Sequence, residues 1–161
     1  MSTDKKDTAY KLVATNRKAR HAYHIMESHE AGIVLEGSEV KSLRSKGCSL
    51  DESFGRLERG EVYVYGMHIP EFSRSPYFKP DSRRIRKLLL HKKEIQRIIG
   101  FTTQKGFTII PLQVYFNERG IVKVEIALAK GRLLFDKRRK IKEEIADREA
   151  DRELKRYHKG R

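Results

Sequence analysis

The stretch Phe107-Thr108-Ile109-Ile110-Pro111-Leu112-Gln113-Val114-Tyr115-Phe116-Asn117-Glu118-Arg119-Gly120-Ile121-Val122-Lys123-Val124-Glu125-Ile126-Ala127-Leu128-Ala129 carries the clearest β signal in the chain. Two apolar runs flank Asn117-Glu118-Arg119-Gly120, a hairpin turn whose glycine suits a positive φ. Val122, Val124, Ile126 and Leu128 fall on one face and Lys123 and Glu125 on the other. That alternation predicts a half-buried antiparallel sheet with its second face in solvent.

Working outward, Phe54 and Leu57 precede Glu58-Arg59-Gly60-Glu61, and Val62-Tyr63-Val64-Tyr65 follows, which predicts a second hairpin. Tyr23, Ile25, Ile33 and Leu35 predict a strand over 23–35, bulged near Glu30-Ala31-Gly32, and Lys87-Leu88-Leu89-Leu90 a short buried strand. Ser38 is expected to cap a helix over 39–45, with Val40 and Leu43 on its apolar face and Gly47 as its stop. Ile95, Ile98 and Ile99 share one face of a helix over 91–100. Pro70, Pro76 and Pro80 deny the segment from Met67 to Arg86 a long helix or central strand, leaving an exposed loop.

Residues 1–15 show no sustained period and read as a flexible N-terminal tail. Residues 16–135 hold the folding domain, and from Asp136 to Arg161 the chain is almost wholly charged. Ile141, Ile145 and Leu154 are too sparse to dock that tail, so a helix formed on a partner is expected. The fold class is mainly β with small helices (α+β), most economically closed as an antiparallel barrel, because closure removes exposed edges.

The 161 residues contain 36 Lys and Arg against 22 Asp and Glu, a net charge of +14, which points to a polyanionic partner. No stretch approaches the roughly 20 apolar residues of a membrane span, and the N-terminus lacks a signal-peptide apolar region. A single cysteine, Cys48, excludes an internal disulfide and Cys-based zinc patterns and suits a reducing, cytoplasmic compartment. It reads as a small buried apolar side chain.

Chemistry-bearing motifs are few. Gly32 to Ser38 imitates a phosphate-binding loop but lacks the lysine, and Glu36 and Glu39 would repel a phosphate. His21 and His24, three apart on an expected strand, would face opposite ways, so no metal site or cofactor is expected. Glu39-Val40-Lys41 matches a short element of metal-dependent nucleases, yet Glu39 is better placed to open a helix. Tyr63, Tyr65, Tyr115 and Phe116 could stack on bases, although core packing is the stronger expectation, and Tyr77 and Phe78 are open between the two. Basic clusters border the β-elements: Arg17, Lys18 and Arg20; Lys41, Arg44 and Lys46; Arg83, Arg84, Arg86 and Lys87; Lys130, Arg132 and the run 137–140. RNA binding with strong salt dependence follows. His21 beside the first cluster is expected to stack on or hydrogen-bond to RNA.

Asn16-Arg17-Lys18-Ala19-Arg20-His21, Glu30-Ala31-Gly32-Ile33, Glu39-Val40-Lys41-Ser42-Leu43-Arg44, Arg86-Lys87-Leu88-Leu89-Leu90 and Ala129-Lys130-Gly131 with Asp136-Lys137-Arg138 occur in an order and spacing that closely resemble the SsrA-binding (SmpB) protein family. The likeness runs from Asn16 onward. It implies an oligonucleotide-binding-type (OB) barrel that binds the tRNA-like domain of transfer-messenger RNA (tmRNA) and performs no bond chemistry. It further implies delivery, with the elongation factor EF-Tu, to stalled bacterial ribosomes for trans-translation. Positions matching the family's RNA-binding patch are Asn16, Arg20, His21, Glu30, Leu90, Lys130 and Gly131, to which the basic residues Arg17, Lys18, Lys41 and Arg44 are added. Asp136, Lys137 and Arg138, with Arg139 and Lys140, match the start of a tail that the resemblance places in the small-subunit decoding region and empty mRNA channel. Arg132-Leu133-Leu134 departs from the further lysines common in the family, which weakens a phosphate contact at Leu133 or Leu134. Phe135 could stack on a ribosomal base but not hydrogen-bond. Without a sustained heptad, a monomer is expected. The competing readings are a structural ribosomal protein and, more remotely, a metal-dependent nuclease.

Overall fold

The computed structural model describes residues 10–74, 78–104 and 106–159, leaving aside the side chains of residues 134, 135, 158 and 159. Most of the expected N-terminal tail and the readings of Tyr77 and of the side chains of Leu134 and Phe135 lie outside the described residues.

Eleven elements follow along the described chain: β1 (Lys11–Thr15), α1 (Arg17–Ala22), β2 (Tyr23–Ile33), α2 (Gly37–Ser45), β3 (Phe54–Glu58), β4 (Glu61–Tyr65), β5 (Arg86–Leu89), α3 (Lys92–Thr102), β6 (Phe107–Phe116), β7 (Val122–Gly131) and α4 (Arg132–Lys159). All pairings are antiparallel. The order β6-β3-β4-β5-β2-β7 returns to β6, so six strands form a circuit, and β1 adds to β6 alongside. The expected mainly β, OB-like α+β class is the observed one. Inside lie Val62, Val64, Leu88, Val114, Val124, Ile126 and Leu128, all at most 1% exposed.

Both hairpins turn where expected, with Gly60 and Gly120 at positive φ. The circuit closes at one tight point, where Gly55 of β3 pairs with Ile109 of β6. A Cβ on Gly55 would stand 2.7 Å from the Cβ of Ile109, so only glycine lets these backbones approach.

Residues 11–15 are not a tail. They form β1 and cover the β6 edge, with Val13 and Ala14 against the core. A bulge between Leu12 and Ala14 shifts the side-chain parity, and this erased the period-two signal. In β2 the bulge falls between Ile25 and Glu27, not near residues 30–32. Gly32 serves a close approach instead, since a Cβ there would lie 3.2 Å from the Cβ of Leu89. Pro111 stands within β6 beside a third bulge, between Pro111 and Gln113, where a missing N–H is tolerated.

Helix α2 begins two residues earlier than expected, because Glu36 and Glu39 form a reciprocal capping box and Ser38 is not the cap. Helix α3 runs through Gly100 to Thr102, whose hydroxyl donates to the Ile98 carbonyl at 2.9 Å, and Ile98 plugs into the core. Phe107, at the start of β6, meets Phe101 of α3 edge-on; Phe116, at its end, lies under Arg44 of α2. The two helices therefore mark opposite ends of this strand. Cys48 packs against the core, and burial pushes its thiol up to about 12, which keeps it protonated and inert at neutral pH.

Candidate nucleic-acid interface

The first basic cluster is a helix, and one residue anchors it. Ala19 is the buried position of α1 and packs with Ile110, Leu112 and Ala127 on the outer side of β6 and β7. The second face of the main hairpin is thus partly covered, contrary to the expectation that it meets solvent throughout. With Ala19 inward, Arg17, Lys18, Arg20 and His21 all point outward and are exposed. His21 lies in α1 and His24 in β2, so the expected placement of both on one strand does not hold.

Asn16 is 7% exposed, and its side chain is already committed. Its Oδ1 accepts from the Ala19 N–H at 3.1 Å, capping α1, and its Nδ2 donates to the carbonyls of Pro111 at 3.2 Å and Leu50 at 3.4 Å. Asn16 positions the cations of α1 and offers no amide of its own to a ligand.

Strand pairing brings the distant part of the cluster alongside. Tyr23 pairs with Gly131 and His24 with Lys130, so residues more than a hundred positions apart share one end of the β2–β7 ribbon. Lys130 Nζ sits 4.2 Å from the centroid of the Phe107 ring, which holds the charge over an aromatic face. A Cβ at Gly131 would meet no atom beyond its chain neighbours within 4 Å, leaving the backbone open to close approach. Helix α4 follows β7 without a loop, and Arg132 donates from Nη2 to the Arg20 carbonyl at 3.1 Å. Asp136, Lys137, Arg138, Arg139 and Lys140 are exposed in the second and third turns of α4, a helix about 42 Å long at 1.5 Å per residue.

Glu30 and Leu90 lie elsewhere. Seven residues of extended chain separate Tyr23 from Glu30, on the order of 20 Å, so α1 and Glu30 are far ends of one strand. Glu30 accepts from the Tyr115 hydroxyl and has Lys123 Nζ at 3.9 Å. Burial and that carboxylate push the Tyr115 phenol above its ordinary range, so it stays a donor. Glu30 and Leu90 line one groove of about 590 Å³ with Leu89, Ile121 and Lys123. Lys41 and Arg44 form a third group on α2, 6.0 Å from the Phe72 ring centroid and 5.4 Å from that of Phe116.

Within the cluster at 83–87, Arg83 is exposed, but Arg84 and Arg86 are turned to an internal acid. Arg86 is fully buried; its Nε and Nη2 donate to Glu39 Oε1 at 2.9 and 2.7 Å, and Nη1 donates to the Met67 and Arg84 carbonyls. Arg84 donates to Glu39 Oε2 at 2.7 Å, and Lys87 pairs with Glu61 at 3.2 Å. Burial alone would raise the Glu39 pKa, but hydrogen bonds from Arg84, Arg86 and the backbone outweigh it and hold the carboxylate below its ordinary range. Glu39 is therefore engaged twice over, as helix cap and as counter-ion, and has no oxygen left for a metal.

Sequence reasoning missed Tyr115 as the partner of Glu30 and Phe107 as the platform under Lys130. Counting outward from the pair Phe116–Val122 would put Phe107 opposite Gly131; the bulge at Leu112 moves the pair to Lys130.

Comparison with known proteins gives one answer. Residues 13–156 match the model of the family described as SmpB protein. The SsrA-binding protein of a Nitratiruptor species is 53% identical over 148 residues, covering 91% of this chain and 99% of that protein. The SsrA-binding protein of Nocardia farcinica is 49% identical over 155 residues, covering 96% of both. A solved chain from work described as "tmRNA-SmpB: a journey to the center of the bacterial ribosome" superposes with a TM-score of 0.63 at 50% identity, over 74% of this chain and 83% of that one. The match spans the strand circuit, α1 with its cations and most of α4, and the chain belongs to the SmpB protein family.

Proposed function

We propose that this protein is an RNA-binding adaptor in ribosome rescue, which binds the tRNA-like domain of tmRNA and carries it to stalled ribosomes for trans-translation. The observation that carries this reading is the family match along the whole strand circuit and most of α4. The charge distribution supports it, because α1, Lys130 and the base of α4 make one continuous cationic surface on a chain of net charge +14.

The RNA surface then has two parts. Arg17, Lys18, Arg20, His21, Lys130 and the open backbone at Gly131 contact phosphates and ribose; Glu30 accepts from base N–H or ribose hydroxyl groups at the groove it shares with Leu90. Lys41 and Arg44, on α2, face a different RNA surface. The strand circuit with β1 and α1 acts as the RNA-binding body, and the part of α4 from Asp136 enters the decoding region and the vacated message channel, where an RNA-lined groove would hold this solvated basic helix. EF-Tu takes part in delivery, the protein acts as a cytoplasmic monomer, and it performs no bond chemistry. None of the helices among the described residues is long and apolar enough to cross a membrane.

The test is binding of the full chain to the isolated tRNA-like domain and to an ordinary tRNA over a salt series. A preference for the tRNA-like domain that persists at moderate salt and falls in His21→Ala and Glu30→Ala is expected. Equal binding to both RNAs with a steep salt slope would overturn the reading in favour of a ribosomal protein. Removing the chain from Asp136 onward is expected to leave tmRNA binding in place and abolish tagging on stalled ribosomes.

A further inference from the structure

An exposed glutamate on an open sheet face samples many rotamers, and Glu30 would do so without a partner. Its side chain is 56% exposed, and the residue directly opposite it on β7 is Glu125, a like charge that favours neither carboxylate. What fixes Glu30 comes from beyond the neighbouring strand. Tyr115 of β6 pairs with Lys123 of β7, while Glu30 of β2 pairs with Glu125 of β7. All four project from the outer face, since Ala31, Val114, Val122 and Val124 beside them are buried inside. The Tyr115–Glu30 hydrogen bond therefore runs diagonally over β7, from the row of Lys123 to the row of Glu125. Strands lie about 4.8 Å apart, so the two side chains must together span roughly 10 Å, which needs a donor as long as tyrosine and an acceptor as long as glutamate.

The phenol donates to Glu30 Oε2. Lys123 Nζ stands 3.9 Å from Oε1, near enough to attract that oxygen and too far to hydrogen-bond it, so the lone pairs of Oε1 stay open to a ligand's N–H or O–H. Tyr115 is itself held in place. It is 7% exposed, because the ring of Tyr10 covers it at a centroid distance of 4.5 Å and takes the solvent side. Burial and the Glu30 carboxylate keep the phenol protonated far above neutral pH, so the direction of the bond does not reverse. Tyr10, Glu30 and Tyr115 line an open recess of about 470 Å³ with Glu118 and Arg119, which places the bond at a surface and not in the core.

As a staple alone the bond would add little, for β6, β7 and β2 are already joined by long ladders, and it keeps a carboxylate opposite a like charge. We propose that Tyr115 is a positioning residue for RNA recognition: its hydroxyl, under the cover of Tyr10, holds the Glu30 carboxylate so that Oε1 faces the RNA before the RNA arrives. The inference rests on Glu30 being an RNA contact and adds the residue that sets its geometry. Tyr115 itself need touch no nucleotide. A carboxylate oriented in advance loses less side-chain freedom on binding, an advantage of about two- to tenfold in affinity.

The experiment is a double-mutant cycle on the full chain, read as affinity for the isolated tRNA-like domain and for an ordinary tRNA over a salt series, with thermal unfolding of each variant. Tyr115→Phe removes the hydroxyl and keeps the ring. It is expected to weaken binding about two- to tenfold with an unchanged salt slope, because no phosphate-facing cation is lost. Combined with Glu30→Ala the same change should have no further effect, whereas combined with His21→Ala, at the far end of β2, the two losses should multiply. Glu30→Asp keeps the charge on a stem one methylene shorter at an exposed position, reports on the same bond if Tyr115→Phe does not fold, and is expected to weaken binding to a similar degree. A folded Tyr115→Phe or a Glu30→Asp that binds like the wild type would overturn the proposal, and so would losses that multiply between Tyr115→Phe and Glu30→Ala. Glu30→Ala without effect on either RNA would remove Glu30 as a contact and this proposal with it. A wild type without preference for the tRNA-like domain would count against the adaptor reading alone, since the coupling is read on either RNA.

Discussion

Two arginine-rich stretches that look alike in the chain, residues 16–21 and 83–87, end in opposite environments. In α1 the cations point to solvent because Ala19, which stands among them, is what the core accepts. In the second stretch Arg86 faces inward on β5 at 0% exposure and meets Glu39, 47 positions away, while Arg84 takes the other carboxylate oxygen. Charge density along a chain therefore does not tell which cations are available to a ligand; strand parity and a distant acid decide it. The first stretch keeps its cations in solvent, and in the second Arg84 and Arg86 hold α2, β5 and the proline-containing loop together.

The contrast has consequences for stability and for affinity that run in opposite directions. Glu39→Ala should give the largest effect, a loss of about 3–5 kcal/mol in urea unfolding, because Arg86 would be left as an uncompensated buried charge. Acid should do the same more gently. The Glu39 pKa is lowered by folding, so its contribution is complete above its ordinary value of 4.5 and is lost as pH falls through the folded value. Unfolding followed from pH 7 down to pH 3 should show this loss in the wild type and less of it in Glu39→Gln. Asn16→Ala removes a helix cap and should cost about 1 kcal/mol while also weakening RNA binding, because the α1 cations lose their alignment. Arg17→Gln with Arg20→Gln should move stability by no more than about 0.5 kcal/mol yet lower RNA affinity and flatten its salt dependence, the reverse of the Glu39 result. If the double variant instead unfolds and Glu39→Ala does not, the division between the two stretches is wrong.

The two hairpins were legible because alternation and turn glycines are local signals that agree with the fold. β1 was not, since one extra residue at its bulge destroys the alternation that reading depends on. Helix α1 was missed for another reason. Six residues are too short to show a helical period, and the helix depends on a cap whose amide also bonds to Pro111, 95 positions on. Within the site, the exposed cations of α1 and the positions Lys130 and Gly131 were named from the sequence, but that Glu30 and Leu90 lie about 20 Å along β2 from α1 was not.

Alone, the sequence determined the class of partner, through a charge of +14 that no fold can hide, and the family, through motifs dispersed over the chain. It also determined the strands that alternate cleanly. The tertiary structure decided which charges face the solvent, how the motifs divide into separate surfaces, and that Tyr115 of β6 reaches Glu30 of β2 over β7. Register across strands, inward or outward parity and the pairing of a buried arginine with a remote glutamate are all long-range relations, set when the circuit closes and not by any residue's neighbours in the chain.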